Sequence, residues 1–239
     1  MEKFQRILIK ISGEALGGER GTGLDEASLN SLADEIVRLT KAGKQIAIVV
    51  GAGNFFRGVK GSAGSIGRVD ADYMGMLGTV MNAIALKNFF LVRGQDARVM
   101  SALKVEKITE ALYPVQAVRY LEQGKVVIFA GGTGNPYFTT DTAGVLRAIE
   151  IDADLMLKAT KVDGVYSADP QKDPSAVKYD ELSYDEALEK NLAVMDGTAF
   201  ALARENALPI IVFNMKKEGL LTRLLLDGEA LGTLVHKGK

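Results

Sequence analysis

The sequence predicts an α/β fold built on a mainly parallel sheet. Short β-branched runs recur along the whole chain, and several are apolar on both faces, as central strands covered by helices require. Between them lie stretches whose apolar residues fall at helical spacing, and alternation of this kind is the mark of a parallel sheet with crossover helices. Four of the runs lead into glycine-rich or polar loops, which in such sheets gather at the carboxyl edge where ligands sit.

The first run, "ILIKI" (Ile7–Ile11), carries a lysine in a central-strand pattern and opens into "SGEAL". A helix follows over Asp25–Ala42, with Leu29, Leu32, Ile36, Val37 and Leu39 on one face and Gly43 as its stop. "QIAIVV" (Gln45–Val50) runs into "GAGNFFRG". The helix Asp72–Phe90 bears a Met and Gly stripe (Met74, Gly75, Met76, Gly78, Met81) that reads as core or subunit contact. "ARVM" (Ala97–Met100), a helix over Gln116–Gln123 and "VVIFA" (Val126–Ala130) come next. "GGTGNPYFTTDTAG" then leads into a helix over Thr140–Glu150, and "DLMLKA" (Asp154–Ala159) into "TKVDGVY". Helices over Tyr184–Lys190, Thr198–Asn206 and Leu220–Leu226 alternate with the strands "IIVF" (Ile210–Phe213) and "GTLV" (Gly232–Val235). No repeat or low-complexity linker divides the chain, so residues 1–239 read as one domain.

Composition narrows the chemistry. A net charge of −1 gives no global electrostatic case for nucleic acid or an anionic membrane. The chain has no cysteine, which excludes thiol nucleophiles and thiolate metal sites. Its single histidine, His236, argues against a Ser-His-Asp triad or a multi-histidine zinc site. Lys, Arg, Asp, Thr and backbone amides remain, and phosphoryl transfer is the reaction class that needs little else, because it depends on positioning and charge neutralisation. The start "MEKFQRILIK" is no signal peptide, and the uncharged stretch Tyr73–Leu86 is too short and glycine-spotted to span a bilayer, so a cytoplasmic protein is expected.

Glycine loops let backbone N–H groups approach an anion, and helix N-termini add partial positive charge. The phosphate-loop signature GxxxxGK[ST] is absent, and GxGxxG is broken in both "GAGNFF" and "GTGNPY", which disfavours a dinucleotide oxidoreductase. Lys10 is the point charge the missing phosphate-loop lysine would supply, and Arg57 is a candidate phosphate clamp. Thr139, Thr140 and Asp141 open a helix and fit N-capping; Asp141 beside phosphate would be repelled unless it orients Lys10 or touches Mg²⁺. Asp72 reads as an acidic residue at a helix start. Lys158, Thr160, Lys161, Asp163 and Gly164 form either a turn or one flank of a nucleotide site, and Asp196 fits an N-cap.

Together "KISGEAL", "GAGNFFRG", "DYMGMLGTVMNA", "GGTGNPYFTTDTA", "LKATKVDGVYSADPQKDPSA" and "VMDGTAFALARENALPIIVFNM" resemble the bacterial UMP kinase (uridylate kinase) family of the amino-acid kinase superfamily, in order from about Ile7 to Val235. The resemblance implies a three-layer α/β/α sandwich, a homohexamer and Mg²⁺-dependent transfer of the ATP γ-phosphoryl group to UMP. By motif, Lys10, Ile11, Ser12, Gly13, Gly53 and Arg57 would line the ATP phosphates, and Thr160, Tyr166 and Asp169 the adenosine end. Ala52, Asp72, Thr133, Gly134, Asn135, Pro136, Tyr137, Phe138, Thr139 and Thr140 would hold UMP, with Asp72 reading the ribose hydroxyls. Lys10, Arg57 and Asp141 would serve catalysis. GTP activation and UTP inhibition are family traits, and Gly18, Glu19, Arg20, Gly21, Thr22 and Gly23 match the region tied to GTP. The family loop reads GGGN where this chain has "GAGN"; if Ala52 needs φ > 0, its methyl costs about 1 kcal/mol. A superfamily kinase acting on an amino acid or carbamate, and a non-catalytic nucleotide-binding subunit, are the competing readings.

Overall fold

A computed structural model describes residues 4–56, 65–192, 194–215 and 219–238. Among the described residues nine strands form one sheet: β1 (Arg6–Ile11), β2 (Gln45–Val50), β3 (Ala97–Ser101), β4 (Glu110–Ala111), β5 (Val126–Ala130), β6 (Leu155–Thr160), β7 (Glu181–Ser183), β8 (Ile210–Asn214) and β9 (Thr233–His236). Their order is β4-β3-β5-β2-β1-β6-β8-β9-β7, parallel throughout except at β8–β9. The helices are α1 (Gly13–Leu16), α2 (Glu26–Lys41), α3 (Arg68–Leu91), α4 (Pro114–Glu122), α5 (Thr140–Glu150), α6 (Tyr184–Glu189), α7 (Gly197–Glu205) and α8 (Leu220–Leu225).

Side-chain alternation along the strands sorts the core into two layers. On β1, Ile7, Ile9 and Ile11 pack with α2, α3 and α8 through residues such as Leu32, Ile36, Val80, Leu86 and Leu224. Leu8 faces the opposite layer, where Ala117 and Leu121 of α4, Ala143 and Ala148 of α5, Tyr184 of α6 and Phe200 of α7 meet Val49 and Phe129. Helices on both faces of a central sheet make the three-layer sandwich that the family resemblance implies.

Two strands escaped the sequence pattern. β4 and β7 have two and three residues, too few to show a period. α3 begins at Arg68, four residues ahead of Asp72; its first turn, "RVDA", turns Val69 to solvent and buries only the small Ala71, so no apolar stripe marks the start in the sequence. Its 24 residues make it long and apolar enough to cross a membrane by length and composition, unlike the shorter stretch weighed above. One face nonetheless lies on the sheet through Val80, Ala83, Leu86 and Phe90.

Candidate active site

β5, β2, β1 and β6 are parallel neighbours, so the loops that follow them open at one edge. The loops after β1 and β2 interlock. Gly51 donates its N–H to Ile11 O at 2.8 Å, and Gly13 lies so close that a Cβ there would fall 2.6 Å from Gly53 N and 2.8 Å from Ala52 C. Only glycine fits that backbone approach. Ala52 has a negative φ, so the strain expected of its methyl does not arise. The methyl instead fills the space left by Gly78 of α3, where an added Cβ would come within 2.8 Å of it.

Lys10 and Lys158 occupy paired positions on β1 and β6. Lys10 shares the face of Leu8, and α5 covers that face. Gly144 brings α5 down until an added Cβ would sit 3.4 Å from Lys10 Cγ. One turn earlier, Asp141 lies between the two ammonium groups: Oδ1 is 2.8 Å from Lys10 Nζ, and Oδ2 is 2.5 Å from Lys158 Nζ. Lys158 also donates to Val194 O at 2.6 Å. Burial pushes the Asp141 carboxyl up, but Lys10 and then Lys158 outweigh it and hold the group below the usual carboxylate range. Burial lowers the Lys158 ammonium, and Asp141 only partly restores it. Each carboxylate oxygen of Asp141 faces its own ammonium group. The sequence alone leaves Lys158 open between a turn flank and a nucleotide site; a lysine inside the buried run "LMLKAT" is the available signal, but its registration beside Lys10 is a tertiary fact.

The N-terminus of α5 is capped as expected. Thr139 Oγ1 accepts from Asp141 N at 3.1 Å and Thr142 N at 3.2 Å, and donates to Asp196 Oδ2 at 2.5 Å. Asp196 is the N-cap of α7, accepting from Ala199 N at 3.0 Å, and it also receives the Thr142 hydroxyl at 3.0 Å. One carboxylate therefore ties the starts of both helices.

The loop from Gly131 to Phe138 depends on left-handed backbone at Gly131, Gly132 and Gly134 (φ 76, 58 and 81°) and at Tyr137 (φ 70°). A tyrosine in that region is an uncommon, strained choice. It is held by Asp72, whose Oδ2 accepts from Tyr137 N and from Arg68 Nε, each at 2.8 Å. Asp72 is thus not a helix-start residue but a tie inside α3, and the Arg68 guanidinium lies 5.3 Å from the centre of the Tyr137 ring. Thr133 and Asn135 bond each other locally, while Tyr137 and Phe138 are exposed.

After β6, Thr160 Oγ1 donates to Val162 O at 2.6 Å, Tyr166 Oη to Asp163 Oδ1 at 2.5 Å, and Asp169 Oδ1 accepts from Gln171 N at 3.0 Å. Lys161 bridges this loop to Glu14 of α1 at 2.7 Å. Ser12 is the N-cap of α1, with no side-chain capping bond. Gly18 to Gly23 forms a tight turn with left-handed Gly18, Gly21 and Gly23, fastened by Gly23 N to Asn54 O at 2.9 Å. Arg57 lies outside the described residues. Among the described residues no three acidic or histidine side chains come together as a metal cage.

Two lysines flanking a carboxylate, at the carboxyl edge of a parallel sheet with its glycine loops, are an arrangement suited to phosphoryl transfer. The amino acid kinase family model matches residues 5–214, and the chain belongs to that family: it is a kinase. It is 38% identical to the UMP kinase of Bacillus anthracis, with a TM-score of 0.94 over 99% of this chain and 97% of that one. To the UMP kinase of Ureaplasma parvum it is 36% identical, with a TM-score of 0.92 over 98% and 100% of the two chains. To the uridylate kinase of Archaeoglobus fulgidus it is 29% identical, with a TM-score of 0.71 over 96% and 99%.

Proposed function

We propose that this kinase transfers the γ-phosphoryl group of ATP to UMP, giving UDP and ADP, in pyrimidine nucleotide synthesis. The observation that carries it is the Lys10–Asp141–Lys158 cluster facing the interlocked glycine loops. The acceptor is argued from the near-full-length likeness to two UMP kinases. Lys10 supplies positive charge to the transferring group, and Asp141 holds the lysine in place. Asp141 is a poor general base, because the two ammonium groups keep it ionised below the usual range after opposing the upward push of burial. None is needed: the phosphate of UMP brings its own anionic oxygen as nucleophile.

Magnesium fits this site as a partner of the ATP phosphates. The site offers a single protein carboxylate, Asp141, already paired with two lysines, and no cage of carboxylates surrounds it among the described residues, so the ion would be held chiefly by the nucleotide phosphates. When bound, the ion neutralises charge on the β- and γ-phosphates. Ile11, Ser12, Gly13, Gly53 and Arg57 are assigned to the ATP phosphates, and Thr160, Tyr166 and Asp169 to its adenosine end. Ala52, Asp72 and the run Thr133 to Thr140 are assigned to UMP. Arg68 Nε and Tyr137 N both donate to Oδ2 of Asp72, which leaves Oδ1 for the ribose hydroxyls in this assignment.

Residues 1–239 act as one domain in the cytoplasm, and the turn Gly18 to Gly23 is the proposed seat of GTP activation, opposed by UTP. The assembly is a homohexamer. Its support in this chain is the outer face of α3, where Tyr73, Met74, Leu77 and Met81 are exposed and a second copy would cover them. An ADP-release assay with ATP, Mg²⁺ and a panel of acceptors (UMP, CMP, dUMP, acetylglutamate, aspartate, carbamate) tests the proposal. Turnover with UMP is expected; turnover confined to a carboxylate or carbamate would overturn the acceptor and leave the kinase.

A further inference from the structure

The inner face of α3 carries four contacts to the site loops. Asp72 takes Tyr137 N–H, Thr79 Oγ1 accepts from Gly131 N at 2.7 Å, Gly78 receives the Ala52 methyl, and Asn82 reaches the loop after β2. The last is the most completely built. Asn82 is fully buried and Asn54 is 4% exposed. Asn82 Nδ2 donates to Gly51 O at 2.7 Å and to Asn54 Oδ1 at 2.8 Å; Asn54 Nδ2 donates back to Asn82 Oδ1 at 2.9 Å and onward to Gly23 O at 2.7 Å. All four amide protons are used and both amide oxygens accept. Asn54 Oδ1 also lies directly against the open side of Gly13. The turns after β1 and β2, and the Gly18 to Gly23 turn, therefore converge on one amide pair anchored by α3.

A buried polar pair of this kind is costly to place unless every group is satisfied, and when satisfied it fixes a single arrangement. Hydrophobic residues at 54 and 82 would fill the same space without fixing Gly51 O or Gly23 O. We propose that Asn82 is a positioning residue for the phosphoryl-transfer site: through Asn54 it sets the Gly51 to Asn54 loop against Gly13, so that the loop amides stand ready for the nucleotide phosphates. Asn82 touches no substrate itself. The proposal rests on the reading of that loop as part of the nucleotide site.

The test is a double-mutant cycle on the full-length enzyme, Asn82→Ala, Asn54→Ala and both together. Steady-state constants for UMP and ATP are measured well below each variant's thermal midpoint, with the folded fraction normalised by circular dichroism. A small misplacement of a preorganised group costs up to about 100-fold, so each single variant is expected to lose about 10- to 100-fold in kcat/KM. The double variant should lose no more than the worse single, because the two residues act as one device. Losses that multiply would overturn the proposal, as would full activity in a folded variant with only a lower thermal midpoint. Should the alanine variants not fold, Asn82→Ser, which leaves room for a water, carries the same expectation and the same refutation. A wild-type enzyme that does not turn over UMP would overturn the proposed function and this inference with it; normal wild-type turnover with unaffected variants would overturn this inference alone.

Discussion

Replacing Asp141 by asparagine keeps the shape of the side chain and removes the charge between two buried ammonium groups. Side-chain exposures of 12% at Lys10, 14% at Asp141 and 11% at Lys158 place the cluster largely out of solvent. At an effective dielectric constant of about 20, each contact is worth on the order of 6–7 kcal/mol of Coulomb attraction at these distances, which mostly offsets the desolvation of the three ions. The net stabilisation in the wild type is therefore small. Loss of the shared anion is different, because it leaves two like charges facing each other, and breaking a buried pair in this way costs about 3–5 kcal/mol. For a chain of this size that is a fall of roughly 6–20 °C in Tm. Lys158 can relieve part of the cost by losing its proton, since burial already lowers its pKa. For a lysine depressed in the folded state, the unfolded chain binds more protons between the two pKa values, so stability rises with pH across that window. The gap in Tm between Asp141→Asn and wild type should then be widest near neutrality and narrow toward pH 10. Activity should fall further than stability explains, by about 100-fold in kcat, because Lys10 loses its tether. Thermal melts across pH and kinetics below Tm are the assays. A variant within about 2 °C of wild type, with kcat within threefold, would refute the cluster as an organising device.

Lys10→Ala should lower kcat by about 100-fold while KM for UMP stays within a few-fold, a split that marks a charge acting on the transferring group. Gly13→Ala puts a Cβ 2.6 Å from the backbone nitrogen of Gly53, which cannot swing aside, so a loss of about 1–3 kcal/mol in chemical denaturation and weaker nucleotide binding are expected. Glu35, buried on α2, accepts from Leu221 N at 2.8 Å and caps α8; burial raises its carboxyl, against the pull of those backbone donors. A raised folded pKa means the folded state holds the proton longer, so stability falls as pH rises from the ordinary 4.5 through the raised value. Glu35→Gln keeps an acceptor and loses the charge; its Tm should match wild type near pH 4 and equal or exceed it at pH 7, whereas Glu35→Ala should be lower by about 1–2 kcal/mol at pH 7.

The central strands were legible because burial on both faces writes them as unbroken β-branched runs, and Lys10 stood out as a charge inside one. Asp141 was legible as a helix start with an anion in the wrong company. What stayed hidden depends on registration between distant segments. Nothing in "LMLKAT" says that Lys158 lies beside Lys10, and nothing in "GTVMNA" says that Asn82 faces Asn54. Asp72 looked like a helix-start acid because the first turn of α3, with an exposed Val69 and a small Ala71, gives no apolar stripe to mark the true beginning of the helix. Ala52 looked strained only against the family pattern, and its backbone proves ordinary.

In the proposed reaction this site moves a phosphoryl group from ATP to the phosphate of UMP through Lys10 and Asp141. Phosphorus NMR of the wild-type enzyme with ATP, Mg²⁺ and UMP follows that transfer atom by atom. UDP and ADP should appear in equal amounts, and both signals should slow together by about 100-fold in Lys10→Ala and Asp141→Asn. ADP and free phosphate without UDP, or unchanged UDP formation in both variants, would contradict the account.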